Sequence, residues 1–271
     1  MTPIFPLLTQ FRKQSRRAAW CAVAVVAASM TPLAAGQASL SLSPAVIMAS
    51  GTYGQSMTQT LTINNQTSAV FDFHMIAEDI VVRDGKRVFL PAGQAEGSIA
   101  ATAVFVPEEV VAPPKTSQTV TVTLTIPAHT DIRAIAAVFH ANSAKDPKTG
   151  TVGLVASMGT LITFNLSDKV AIAPGPVEVT LPTATTNLAF EETLQNTGAE
   201  PVIPKGIAAI LNTENRLAGK VPFAQQRLLP GEKLPFRAEF TDQLKPGAYH
   251  VLCTFEYAGH SETQQANFTI P

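Results

Sequence analysis

From Thr119 to Ile126 the chain alternates without a break, with Val120, Val122, Leu124 and Ile126 on one side and threonines on the other. Successive side chains of a strand point to opposite faces, so the run predicts a strand with four aliphatics in a core and a row of hydroxyls outside. Pro113-Pro114 precedes it and Pro127 stops it, while β-branched residues fill the space between. The same rhythm recurs along the chain. Leu40 to Ala49 reads as a first strand, kept near a sheet edge by Pro44. Gln55 to Ile63 places Met57, Leu61 and Ile63 inward and Ser56, Thr58, Thr60 and Thr62 outward. Val70 to Val82 is a long strand, and Arg83-Asp84-Gly85-Lys86 is a hairpin turn of the Asp-Gly kind leading into Arg87 to Leu90. Ile99 to Val106, Ile132 to His140 and Leu161 to Leu166 complete this set, with Asn64 to Thr67 and Asn142 to Gly150 as polar loops.

Pro174-Gly175-Pro176 cannot continue a ladder and predicts a short, stiff linker over residues 169–178. Beyond it strands restart at Leu188 to Gln195, Gly206 to Leu211, Val221 to Leu229, Lys233 to Phe240, Tyr249 to Tyr257 and Gln264 to Ile270. The halves echo one another. Pro113-Pro114, Thr119 to Ile126 and Ile132 to Phe139 in the first correspond to Pro230-Gly231, Lys233 to Phe240 and Ala248 to Tyr257 in the second. Short strands, regular turns and no helical periodicity predict an all-β protein of two tandem immunoglobulin-like antiparallel β-sandwiches, over residues 39–168 and 179–271. Composition agrees: 46% of residues are hydrophobic, ample for packed cores, and only 14% are charged, against about 25% in an average soluble domain.

The first 36 residues stand apart. Arg12, Lys13, Arg16 and Arg17 form a basic start, Ala18 to Leu33 an apolar stretch, and Ala34, Ala35, Gly36 and Ala38 a small-residue cleavage region. That order is what a secretory signal peptide requires. An uncleaved membrane anchor is the alternative, and the interruptions at Ser29, Thr31 and Pro32 count against it. The expected location is therefore extracytoplasmic, in a periplasm or on a cell surface, with membrane contact only through an uncleaved signal segment.

Processing changes the charge and the cysteine count. The chain has 19 Lys and Arg against 20 Asp and Glu; four of the basic residues and no acidic one fall in the signal segment, so the remainder is mildly acidic. A body without a concentrated basic surface argues against nucleic acid, whose phosphates demand one. Cys253 alone remains after cleavage, on a strand face with Tyr249, Val251, Phe255 and Tyr257. A lone cysteine in such company reads as a small core hydrophobe.

The residues carry no catalytic signature. Nucleophile-elbow, zinc-protease, Cys-x-x-Cys, phosphate-loop and dinucleotide motifs are all missing, so neither an enzyme nor a cofactor is expected. Asp72 and His74 share a strand face near Glu78 and Asp79, which invites a metal reading, but a solvated outer face explains them more simply. Ser157 has no base in its sequence context. Asn65-Gln-Thr67, Asn165-Leu-Ser167 and Asn267-Phe-Thr269 match the short glycosylation sequon.

A signal peptide, two tandem immunoglobulin-like domains and a short hinge resemble the periplasmic pilus-assembly chaperones. The text from Met57 to Asn65, followed by Phe71-Asp72-Phe73, is similar to the early strands of that family's first domain. The resemblance implies that the last strand of domain one offers alternating apolar residues to an unfinished pilin-like subunit by strand addition. Here that candidate edge strand is Leu161 to Leu166, with Leu161, Ile162, Phe164 and Leu166 as the partner-binding residues. The family's basic anchors, an Arg in the first strand and a Lys in the last strand of domain one, are not found: neither Leu40 to Ala49 nor Leu161 to Leu166 holds a basic residue, and Lys169 lies just beyond. Bacterial surface proteins with a similar domain pair, binding cell-wall material or partner proteins, are the alternative. The implied activity is non-enzymatic binding of another extracytoplasmic protein.

Overall fold

The computed structural model describes residues 39–145 and 157–271; the predicted signal peptide lies outside them, as do residues 146–150 of the predicted polar loop. Two β-sandwiches follow one another along the chain, each closing its own apolar core. No α-helix occurs among the described residues, and one turn of 3₁₀ helix, Ala100–Thr102, sits between strands.

The first sandwich contains β1 (Leu40–Ser43), β2 (Val46–Ser50), β3 (Ser56–Asn65), β4 (Val70–Arg83), β5 (Lys86–Pro91), β6 (Val104–Val106), β7 (Glu109–Ala112), β8 (Thr116–Thr125), β9 (Ala134–Lys145) and β10 (Met158–Asn165). One sheet has the order β1-β3-β8-β6; the other runs β2-β10-β9-β4-β5, with β7 on the first half of β4. The alternating run from Thr119 lies in β8 and ends with Ile126 just beyond it. Val120, Val122 and Leu124 are fully buried, and its threonines face the solvent side, where Thr123 and Thr125 meet Thr58 and Ser56 of β3 at 2.8 Å.

Pro44 divides what reads as one first strand into two. Without an N–H the proline cannot continue the ladder, and the chain crosses there from β1, paired antiparallel with β3, to β2, paired parallel with β10. The stretch Ile99 to Val106 is also not one strand. Asp79, fully buried, accepts hydrogen bonds from Ser98 Oγ and from the backbone N–H groups of Ile99 (3.1 Å) and Ala100 (2.9 Å). That carboxylate holds the 3₁₀ turn, and only Val104–Val106 remains extended. Asp79 is thus an internal anchor and not part of a solvated face.

The second sandwich contains β11 (Ile172–Thr180), β12 (Leu188–Asn196), β13 (Lys205–Asn212), β14 (Leu217–Pro222), β15 (Lys233–Phe240), β16 (Gly247–Tyr257) and β17 (His260–Ile270). Its sheets are β11-β12-β15 and β14-β13-β16-β17. The predicted linker 169–178 is corrected here: from Ile172 onward it is the first strand of this sandwich. Pro174-Gly175-Pro176 shifts the register against β12 between Pro174 and Val177, and the ladder resumes on both sides of that irregularity. Val221 to Leu229 is corrected too, since the strand ends at Pro222 and only a single bridge, Val202 to Leu228, follows.

The repeat between the halves extends to topology. β3, β8, β4 and β9 of the first sandwich correspond in pairing to β12, β15, β13 and β16 of the second. Each half also closes its opening sheet strand on a fully buried asparagine. Asn65 Nδ2 donates to the carbonyls of Ala69, Ala112 and Pro113 while its Oδ1 accepts from Thr67 N–H. Asn196 Nδ2 donates to Glu200 and Leu228, and its Oδ1 accepts from Gly198 N–H. With all its polar atoms engaged and no exposed surface, Asn65 is not presented as a glycan acceptor in the folded chain.

Candidate functional site

β10 carries the four candidate partner-binding residues at or beside its length. Ile162 and Phe164 are fully buried in the first core, Leu161 faces the second sandwich, and Leu166 lies just past the strand, half-buried against the first core. The expectation that this strand forms the sheet edge is corrected. β9 pairs with one side of it (Leu161 with Ala136, Ile162 with Ile135), and β2 pairs with the other (Leu161 with Val46, Phe164 with Ala49). The edge is β2.

Among the described residues no strand pairs with the outer side of β2. Leu161 N–H donates to Ala45 O at 3.0 Å, and in a parallel ladder alternate residues bond to alternate sides. The backbone groups of Val46 and Met48 consequently face outward. Their side chains are exposed as well, Val46 by 48% and Met48 by 57%, whereas Ile47 and Ala49 pack on the core. An edge with free N–H and C=O groups and apolar side chains is a template for another extended chain.

Val46 also borders a cleft of about 740 Å³ between the sandwiches, into which the β4–β5 turn and the segment before β15 bring Lys86, Arg87, Arg227 and Lys233. Arg87 forks onto Glu232, Nε to Oε1 at 2.7 Å and Nη2 to Oε2 at 3.0 Å, and Nη2 also donates to Arg227 O at 2.7 Å. Leu229 N–H donates to the same carboxylate at 2.8 Å. Burial, and then the charge of Arg87, hold the Arg227 guanidinium below its usual range.

Side-chain contacts from several elements join the sandwiches around this cleft. Leu229 fits among Ile80, Ala134 and Ala136, with Leu161 beside them. Arg87 bonds Glu232. Arg133, 3.3 Å from Glu200, donates to Thr130 O and Ile132 O, while Glu200 also accepts from Leu166 N–H at 3.0 Å and Ser167 Oγ at 2.7 Å. The connection after β10 is therefore pinned to the second sandwich by one buried carboxylate.

The remaining candidates lie elsewhere. His74 Nδ1 is 2.8 Å from Glu109 on β7, and its cross-strand neighbour His140 lies 3.0 Å from Ser157 Oγ, so the structure supplies the imidazole that the sequence around Ser157 lacks. Both His140 and Ser157 are exposed. Among the described residues no three His, Cys, Asp or Glu are placed to hold a metal. Cys253 is fully buried, and burial followed by the charge of Glu192 pushes its thiol up to about 12.

Two immunoglobulin-like sandwiches with this strand order define an all-β protein. Among solved structures the chain is similar to the class 5 fimbriae chaperone CfaA, at 13% identity over 86% of this chain and 100% of that one, with a TM-score of 0.44. It is similar also to the CsuC–CsuE chaperone–tip adhesion subunit pre-assembly complex of the archaic Csu pili of Acinetobacter baumannii (9% identity, 85% and 98% covered, TM-score 0.43). The E. coli chaperone DraB is a third (14% identity, 86% and 98% covered, TM-score 0.38). No family model matches the chain, and no curated protein does.

Proposed function

We propose that the chain is an exported, non-enzymatic protein-binding module that receives an extended segment of another extracytoplasmic protein as an added strand on β2, in a chaperone-like or surface-assembly role. The observation that carries this reading is the unpaired outer edge of β2, with Val46 and Met48 offering both backbone groups and apolar side chains. Main-chain hydrogen bonds would supply affinity along that edge, and alternate side chains specificity. β10 supports the edge from behind, since Ile162 and Phe164 fix its position in the core.

The test is hydrogen exchange at the Val46 and Met48 amides, alone and with a β-rich surface subunit secreted by the same cell. Strand addition protects both amides at least tenfold, and Val46→Lys with Met48→Lys, at positions already exposed, abolishes the protection without unfolding the chain. Binding that leaves both amides exchanging freely overturns strand addition and favours a surface-adhesion role through another face.

A further inference from the structure

The cleft between the sandwiches holds a charge imbalance that the protein does not resolve by itself. Lys86, Arg87, Arg227 and Lys233 line it, and Glu232 is the one carboxylate among its lining residues. Glu232 is committed elsewhere: both oxygens take Arg87, and Oε2 also takes Leu229 N–H. Arg227 is left with Nε and Nη1 buried and without a hydrogen-bond partner. Among the described residues neither Lys86 nor Lys233 forms an ion pair. A half-buried guanidinium with two unpartnered nitrogens is costly, and an anion entering the cleft that Arg227 lines would offset its charge.

The elements that assemble the cluster are fixed. The β4–β5 turn, with Asp84 at φ 51° and Gly85 at φ 76°, brings Lys86 and Arg87 to the cleft, and Lys233 N–H donates to Gly85 O at 2.9 Å. The Arg87 fork on Glu232 and its bond to Arg227 O hold the Arg227 backbone in register with that turn. The positive groups are thus gathered from both sandwiches by structure that exists before any ligand arrives.

We propose that this cleft binds a doubly charged oxyanion of the chemistry of a phosphate monoester, with Arg227 as the anchor and Lys86 and Lys233 as flanking cations. The charge count sets the class. Four cations against one carboxylate leave three positive charges, of which a single carboxylate would offset one; a phosphate monoester carries about −1.5 to −2 near neutral pH and presents three acceptor oxygens. Guanidinium forks match oxyanions in geometry as well as charge. The cleft is within the size range of small-molecule sites, about 300–1,000 Å³, and Gln225 at its wall adds a neutral donor. The site stands independently of strand addition on β2.

The experiment is calorimetric titration of the purified chain with inorganic phosphate, glycerol phosphate and acetate at low salt, paired with thermal unfolding in the same buffers. Saturable phosphate binding is expected, at least tenfold tighter than acetate, with a phosphate-dependent rise in Tm. Arg227→Met is expected to raise the Tm without ligand, by removing a half-buried charge without a counter-ion, and to abolish the phosphate response. Lys86→Met with Lys233→Met, both near the surface, should weaken phosphate at least threefold in a folded chain. Glycerol phosphate binding as tightly as inorganic phosphate assigns the site to an esterified ligand, and weaker binding assigns it to free phosphate. Acetate equal to phosphate, no saturable phosphate binding, or an unchanged response in Arg227→Met overturns the proposal.

Discussion

Glu192 is a carboxyl group on an inward position of β12, 1% exposed, with neither oxygen hydrogen-bonded. Burial pushes it up to about 7 from an ordinary 4.5, so the folded chain holds a proton there that the unfolded chain has released. Linkage then fixes the sign: the group's contribution is complete below about pH 4.5, declines as pH rises towards 7, and is gone above it, a span of roughly 3 kcal/mol. Glu192→Gln removes this slope. Urea denaturation should find the variant more stable than the parent by roughly 3 kcal/mol at pH 8 and equal to it within about 1 kcal/mol at pH 5; an equal difference at both pH values would refute the assignment. The buried asparagines act at the same scale. Asn65→Ala strands three carbonyls that now have a donor, and a loss of roughly 3 kcal/mol in chemical denaturation is expected. Neither role is legible in the sequence. Asn64-Asn65-Gln66-Thr67 reads as an ordinary polar loop, and a charged residue such as Asp79 or Glu192 in a strand reads by default as solvated. Alternation identifies a face; it does not say that a polar group on the inner face has been recruited as an anchor.

Among the elements, the long alternating strands were the legible ones, because β3, β4, β8 and β16 bury one side and wet the other over many residues. Short segments were not. β7 is four residues long, and the edge strand β2 is five. The edge is illegible for the same reason. Alternation puts Ile162 and Phe164 on one face, but periodicity carries no information about which strand lies alongside, and β2 reaches β10 because the chain passes from one sheet to the other at Pro44. A consequence is that Ile162→Asp or Phe164→Asp should unfold the first sandwich instead of silencing a surface. A steric prediction also belongs here. A methyl group at Gly206 would lie 2.3 Å from Phe255 Cε1 and 2.8 Å from Phe223 Cδ2, rings that pack at 4.8 Å with Phe236 behind. Gly206→Ala should therefore cost about 1–3 kcal/mol, read as a lower denaturation midpoint with an unchanged slope.

At the scale of the molecule, two cores are coupled by few groups, and Glu200 is the most demanding of them. It is fully buried and touches Arg133, Leu166 and Ser167 at once. Glu200→Ala leaves Arg133 buried without its counter-ion, a change of about 3–5 kcal/mol, and calorimetry should show one unfolding transition for the parent and two for the variant. Added salt should not mimic the variant, since so buried a pair is poorly screened. The cleft beside this joint is invisible in the sequence, because its residues come from six stretches of chain that only the packing of one sandwich on the other brings together.

The crossing at Pro44 gives the molecule a mechanical property. β2 lies parallel to β10, so tension drawing the start of β2 and the end of β10 apart slides one strand along the other. Every hydrogen bond in that ladder then carries load together, whereas a hairpin such as β16–β17 pulled at its open end peels one bond at a time. If the chain is held at its N-terminal side while a partner tugs elsewhere, the first sandwich resists through this parallel ladder, whose outer edge at β2 is unpaired among the described residues. A strand added there would lengthen the same clamp, and single-molecule pulling should register the gain as a higher unfolding force.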